Sequence, residues 1–177
     1  PDTKGRYIVV QGLNMWTEDF VSVGSRNTGT EAGNFLVVGP NWKGTPPPDV
    51  KQTFRCTTRY AWILVQLACG SPAEYPIVHA LQDQLKLTPL SKWGQPYTPP
   101  DNVSVDPNAD VTATPFDQVR LMPGWMFFQR LAAALKDNPP NPADAKMVGK
   151  LKTLGIEPGK DFDPRKDNPG LIEGMNT

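Results

Sequence analysis

The sequence predicts an α+β fold: a mainly antiparallel β-sandwich or jelly-roll-like domain with one packed helix, followed by a helical linker region. Short apolar stretches rich in β-branched and aromatic residues fill the first half of the chain. Apolar residues at helical spacing follow in the second half. The 177 residues also include 20 prolines and 15 glycines, a share that is typical of short strands joined by many turns.

The composition is that of a globular protein, with 38% hydrophobic and 20% charged residues. Lys plus Arg and Asp plus Glu both number 18, so the formal net charge is zero. That balance disfavours nucleic acid as the main partner, because phosphate binding requires a basic surplus. The longest uninterrupted apolar runs have five residues, whereas about 18 are needed to span a bilayer.

Five segments are predicted strands: Tyr7–Val10, Phe20–Val23, Phe35–Val38, Lys51–Cys56 and Arg59–Ala68. The first is apolar on both faces, which predicts burial on both sides. The fourth is predicted to be an edge strand. The fifth alternates apolar residues to both faces, so Trp62 is predicted to lie in the core. The two cysteines, Cys56 and Cys69, are interpreted as small buried thiols rather than as a disulfide.

Helical spacing appears from Ser71 onward. The first predicted helix starts at Ser71 or Ala73 and runs to about Leu85. The others run from Thr114 to Arg120, Trp125 to Leu135 and Asp144 to Leu154, and a short last element starts at Leu171. Pro72 suits a first helical turn, and Gly155 suits a helix end. The charged stretch from Asp161 to Pro169 is predicted to be a loop.

These elements predict three regions. Residues 1–98 form a β-rich domain whose N-terminal strands we expect to be missing. Residues 99–114 form a proline-rich linker, and residues 115–177 a helical segment. The chain opens with Pro1 and enters a strand almost at once, which indicates a piece of a longer protein.

Several separate blocks of the first half resemble the bacterial family called domain of unknown function 1254. They are Trp16, Ser25-Arg26, Thr28–Phe35, Val38–Pro40, Trp42–Gly44, Arg59–Leu64, His79–Gln84 and Leu87–Gly94. The resemblance implies a further stretch before Pro1 and a second β-rich domain after the helical linker. It also implies a periplasmic or cell-envelope location, because many members carry export signals. It implies no activity.

Polar chemistry is concentrated in the loop from Ser25 to Asn34. The candidate binding residues are Arg26, Thr28, Thr30, Glu31 and Asn34. A buried Arg–Glu pair with neighbouring hydroxyls would suit a sugar or an anion. The alternative is structural: Arg26 and Glu31 would pair with each other, or with Arg55 or Arg59, to hold the loop.

Two further candidates lie outside that loop. His79, the only histidine, has no metal-ligand spacing around it, so no metal site is predicted and a hydrogen-bonding role is favoured over catalysis. Trp42 and Trp93 stand beside glycines and would form an aromatic platform for a ligand if exposed; packing is the alternative. Calcium at Asp101, Asp106, Asn108 and Asp110 is less favoured than a solvated linker.

Two functions fit these observations. The first is a non-catalytic envelope or periplasmic module that binds a ligand or assembles. Its partners would be the missing flanking strands and C-terminal domain of the same chain, with a homo-oligomer as a further option. The second is an enzyme whose active site is shared with the absent domain, to which Arg26, Glu31 and His79 would contribute. The sequence identifies no cofactor.

Overall fold

The computed structural model describes residues 1–101, 107, 109–167 and 169–175. Within them the chain forms five strands and six α-helices, which confirms the α+β class. The strands are β1 (Ile8–Asn14), β2 (Asp19–Gly24), β3 (Asn34–Val38), β4 (Val50–Arg55) and β5 (Ala61–Leu67). The helices are α1 (Tyr75–Gln82), α2 (Pro115–Arg120), α3 (Gly124–Asp137), α4 (Ala145–Thr153), α5 (Pro164–Asp167) and α6 (Pro169–Met175).

Three strands form an antiparallel sheet in the order β2-β1-β5. The β1–β5 pairing runs without interruption from Ile8 opposite Leu67 to Asn14 opposite Ala61. The β1–β2 pairing contains a register shift between Gly12 and Leu13. Such a bulge bends a strand and increases its local twist, so the two outer strands of this sheet differ in regularity.

The other two strands, β3 and β4, pair in parallel. A parallel pair needs a connection long enough to return to the same end of the sheet, and residues 39–49, with their prolines, supply it. Among the described residues β4 pairs with β3 alone, which agrees with its prediction as an edge strand. The parallel pairing was not predicted, and the sandwich arrangement of the two sheets stays a prediction.

Two burial predictions were wrong. On β1, Ile8 is buried but Val9 and Leu13 are only half-buried, so this strand is covered on one face rather than two. Trp62, expected in the core, is 60% exposed, as is Tyr60. Side chains stand roughly perpendicular to a sheet, so the exposure of Trp62 depends on what covers its face of β5, and an apolar alternation does not reveal this.

The helical half has its own apolar core. Its buried members are Ala132, Leu135, Ile156 and Phe162, and the partly buried side chains around them are Trp16, Phe128, Leu131, Leu151, Leu154 and Met175. Trp16 comes from the β1–β2 connection, so the hairpin contributes to the helical core. α5 lies within the stretch that was predicted to be a charged loop.

Buried polar side chains join the hairpin, the β4–β5 connection and the end of α3. Asn14 Nδ2 donates to Thr57 Oγ1 at 3.0 Å, and Thr58 Oγ1 accepts from the Met15 amide at 2.9 Å. Asn138, which is 1% exposed, accepts from the backbone amides of Arg59 and Tyr60. Buried polar groups must be paired to be tolerated, so these bonds fix how the α3 end sits against the strands.

The cysteines differ from each other. Cys56 is buried and Cys69 is exposed, and both are free thiols. The expectation of two buried thiols is therefore correct for Cys56 and wrong for Cys69, which lies just beyond the end of β5. The division into a β-rich domain, a linker and a helical segment stays a prediction. No helix in the described residues has the length and apolar character needed to cross a membrane.

Candidate functional site

The loop between β2 and β3 is ordered by its own backbone. The Gly24 carbonyl accepts from the amides of Asn27, Thr28 and Gly29 at 2.9–3.0 Å. Thr28 Oγ1 in turn accepts from the Gly24 amide at 3.0 Å. Gly24 has φ +133°, a conformation that favours glycine. The first part of the predicted site is therefore a tight turn, with Thr28 as one of its hydrogen-bond partners.

Arg26 and Glu31 do not form the buried pair that the sequence suggested. Both side chains are exposed. The Arg26 guanidinium carbon lies 5.7 Å from the centroid of the Tyr7 ring, and within the described chain Glu31 makes no ion pair. The alternative partners are engaged elsewhere: Arg55 donates to backbone carbonyls and Arg59 pairs with Asp137. The Thr30 carbonyl accepts from the Thr3 amide at 2.8 Å.

Asn34 and Trp93 meet at one carboxylate. Asn34 Nδ2 donates to Asp49 Oδ2 at 3.0 Å, and Trp93 Nε1 donates to Asp49 Oδ1 at 3.1 Å. Asp49 thus ties the segment after α1 to the start of the parallel sheet. Trp42 is half-buried, and a Cβ added at Gly44 would lie 2.6 Å from its ring. Trp93 is half-buried as well, and an aromatic platform formed by the two indoles stays a prediction.

His79 lies on the exposed side of α1. Its ring stacks on that of Tyr75, with 6.0 Å between the centroids and 21° between the planes. No hydrogen bond or ion pair joins any two of the six predicted polar residues (Arg26, Thr28, Thr30, Glu31, Asn34 and His79) in the described structure. The described residues contain no group of three or more His, Cys, Asp or Glu side chains arranged to hold a metal ion.

One ion pair lines a groove beside α1. Arg6 Nη1 lies 2.5 Å from Glu74 Oε2 and donates to the Ala68 carbonyl at 2.7 Å. The hydrogen bond from Arg6 holds the pKa of the Glu74 carboxyl below its ordinary value of 4.5. The groove, about 1060 Å³, lies between the N-terminal segment and α1, where Ile77 and Leu81 contribute apolar surface.

A second cleft was not foreseen from the sequence. It measures about 510 Å³ and lies between β2 and β4. Its lining residues are Asp19, Phe20, Val21, Ser22, Asn27, Thr28, Gln52 and Phe54. Only Thr28 belongs to the predicted set. The others come from three segments apart in the sequence, and no motif or spacing connects them before the chain folds.

Residues 1–89 match the model of DUF1254, a family described as protein of unknown function. A comparison with curated proteins gives no match. Among solved structures, the fold is similar to the crystal structure of the VPA0106 protein from Vibrio parahaemolyticus, with a TM-score of 0.66 and 20% sequence identity. The similarity covers 97% of this chain and 39% of that one. At this identity the likeness shows the fold alone.

Proposed function

Because this chain belongs to DUF1254, a family of proteins of unknown function, we propose a role that rests on its own surface: a non-catalytic cell-envelope module that assembles with further β-structure. The envelope location rests on the export signals implied by the family resemblance. The observation that carries the assembly role is the outer edge of β5, which has no strand partner in the described residues.

The composition of β5 suits an edge that receives another strand. Its seven residues, Ala61–Leu67, include no charged residue and no proline. Its pairing with β1 has no bulge. Trp62 near its start is 60% exposed, as is Tyr60 just before the strand, and Val65 is 37% exposed. Native proteins protect free edges with charges, prolines or bulges, and β5 has none of these devices.

The opposite edge of the same sheet provides a contrast. β2 begins with the charged Asp19, and its pairing with β1 contains a register shift. These features discourage strand addition. The two edges of one sheet thus differ in the way expected if β5 alone receives a partner strand.

We assign that partner to further strands of a longer polypeptide. The similar Vibrio protein is longer, since the match covers 39% of it. The family resemblance also implies a second β-rich domain after the helices. The alternative enzyme, with Arg26, Glu31 and His79 in a shared active site, gains no support from a contact among those side chains.

Hydrogen–deuterium exchange tests this proposal. The β5 amides of this 177-residue chain are compared with those in the product of the complete reading frame. We expect slower exchange over Ala61–Leu67 in the longer protein and equal exchange over Asn34–Val38. In the longer protein Trp62→Lys should restore fast exchange at β5, because it places a charge on the edge. Val37→Lys, at an equally apolar exposed strand position in β3, is the matched control.

Equal β5 exchange in the two proteins would contradict the proposal. Sedimentation of the 177-residue chain gives a second check. Concentration-dependent self-association that itself slows β5 exchange would assign the edge to a second copy, and would also overturn the partner proposed here.

A further inference from the structure

The cleft between β2 and β4 lies where the two sheets approach without joining. In the described residues β2 has one strand partner, β1, and β4 has one, β3. No backbone ladder closes the gap between them. The resulting cleft of about 510 Å³ is open to solvent, and its volume falls within the range of small-molecule sites, about 300–1,000 Å³.

Each strand contributes an aromatic ring and a hydrogen-bonding side chain to the cleft. On β2 these are Phe20 and Ser22, and on β4 they are Phe54 and Gln52. On β4, Gln52 and Phe54 are two apart and lie on the same face of the strand. On β2, Phe20 lies at the register shift with β1, and both Phe20 and Ser22 line the cleft. Phe20 and Phe54 are half-buried, which leaves part of each ring accessible.

Several polar groups of the cleft retain hydrogen-bonding capacity. The Gln52 side-chain amide has no hydrogen-bond partner in the described structure. Asn27 Nδ2 donates to the Ser22 hydroxyl at 2.7 Å, which leaves its Oδ1 as an acceptor. Asp19 uses Oδ2 to accept from Gln11 Nε2 at 3.2 Å. Both donors and acceptors are therefore available, as a ligand rich in hydroxyl groups requires.

The charge of the cleft narrows the class of ligand. Among the residues that the structure describes, the lining contains one carboxylate, Asp19, and no Lys, Arg or His. Phosphate, sulfate and carboxylate ligands would lack a cationic partner there. An extended peptide is disfavoured as well, because strand addition at β2 meets the Asp19 charge and the neighbouring bulge.

We propose that this cleft binds a neutral saccharide. Sugar rings would pack their apolar faces on Phe20 and Phe54, and their hydroxyls would bond to Gln52, Asn27 and Asp19. This site is independent of the β5 edge, since it lies on the other side of β1. The two proposals therefore succeed or fail separately.

The test is titration of the 177-residue chain with neutral oligosaccharides (cello-, malto- and chito-oligomers), followed by NMR and calorimetry. An oligogalacturonate and an extended peptide serve as comparison probes. We expect saturable binding of at least one neutral oligosaccharide, with shifts at Phe20 and Phe54. Gln52→Ala should weaken it about tenfold, since one hydrogen bond is lost. Gln66→Ala, an exposed glutamine on β5, is the matched control and should leave affinity unchanged.

Phe54→Leu supplies a second variant that keeps an apolar side chain at the strand position. Its circular dichroism should match the parent while saccharide affinity falls, because the stacking surface is gone. Three results would overturn the proposal: no neutral probe binds, the anionic or peptide probe binds more tightly, or Gln52→Ala and Gln66→Ala bind equally well.

Discussion

The indole Nε1 of Trp16 donates a hydrogen bond to the Pro139 carbonyl oxygen at 3.0 Å, across 123 positions of the chain. The same indole packs against the apolar core of the helical half. The β1–β2 hairpin and the end of α3 are thus joined by one side chain that contributes both apolar packing and a directed bond. We expect the two halves of the described structure to unfold together.

Substitution of Trp16 separates these two contributions. Trp16→Phe keeps an aromatic ring but removes the donor, and should lower the free energy of unfolding by about 1 kcal/mol. Trp16→Ala also removes the packing and should cost about 3 kcal/mol. Urea denaturation followed by circular dichroism measures both changes.

Trp62→Phe is the matched control, because Trp62 is 60% exposed and its replacement should change stability little. If Trp16→Ala were as mild as Trp62→Phe, the hairpin would not be anchored in the helical core. Two separate unfolding transitions in the parent protein would contradict the expected coupling of the halves.

We expect substitution of Asn138 to destabilise the protein more than its position near a helix end suggests. Its Oδ1 accepts from the amides of Arg59 at 3.0 Å and Tyr60 at 3.2 Å, and its Nδ2 donates to the Ala134 carbonyl at 2.9 Å. Asn138→Ala leaves the Arg59 and Tyr60 amides without their acceptor, which should cost about 2 kcal/mol or more. The Ala134 carbonyl still accepts from the backbone amide of residue 138. Thermal and urea denaturation provide the measurement.

The control for Asn138 is Asn41→Ala, at an exposed position in the β3–β4 connection. We expect its free energy of unfolding to match the parent. Equal stability of the two variants would show that water replaces the Asn138 bonds at no cost, contrary to this prediction.

Local patterns predicted the strands and most of the helices correctly. The helix from Thr114 to Arg120 illustrates why: Thr114 Oγ1 accepts from the Asp117 amide, a capping bond between residues three apart. Trp62 shows what local sequence patterns do not predict. Its exposure depends on whether another layer covers that face of the sheet, and no property of its neighbours in sequence records that.

The candidate site also combines features that local sequence predicts with features that depend on tertiary contacts. The polar loop could be predicted because its glycines and hydroxyls are adjacent in sequence; its role as a site stays a prediction. The cleft lined by Thr28, Gln52 and Phe54 could not be predicted, because it exists only once β4 approaches β2. Asp106 and Asn108, considered for calcium, lie outside the described residues. Asp110 accepts from the Thr112 and Ala113 amides, a turn that leads toward α2.

Alanine substitutions at two glycines of one turn distinguish the cost of a steric clash from the cost of backbone strain. Both have positive φ, Gly24 at +133° and Gly29 at +86°. A Cβ at Gly24 would lie 2.1 Å from the Ile8 carbonyl oxygen, whereas one at Gly29 meets no atom within 4 Å. Gly29→Ala should therefore cost about 1 kcal/mol from the backbone conformation alone.

Gly24→Ala carries the backbone strain and the clash together, so it should be clearly more destabilising than Gly29→Ala. The pair is compared by urea denaturation. Because the clash involves the Ile8 carbonyl, exchange at the Ser25 amide, which donates to that oxygen at 3.0 Å, should also become faster. Equal stability of the two variants would show that the β1–β2 pairing accommodates a methyl group at Gly24 with no loss of stability.

Glu18 links the stability of the hairpin–α3 junction to pH. Its carboxylate accepts hydrogen bonds from Asn141 Nδ2 and, at 2.6 Å, from Asn14 Nδ2. The bond from Asn141, followed by that from Asn14, holds the pKa of Glu18 below its ordinary value of 4.5. A carboxyl with a lowered pKa in the folded state stabilises it above the unfolded value, and this stabilisation is lost as pH falls through the folded pKa.

The stabilisation from Glu18 should therefore be complete at about pH 7 and should be lost progressively as the pH falls through the lowered folded pKa. Glu18→Gln should destabilise the protein at the higher pH and matter less as the pH falls, as measured by urea midpoints. Asn141→Ala should raise the pKa of Glu18 in an NMR titration, because the largest cause of its lowering is removed. Glu31→Gln, at an exposed loop position, is the control. If Asn141→Ala left the measured pKa of Glu18 unchanged, Asn141 would not donate the hydrogen bond that stabilises this carboxylate in solution.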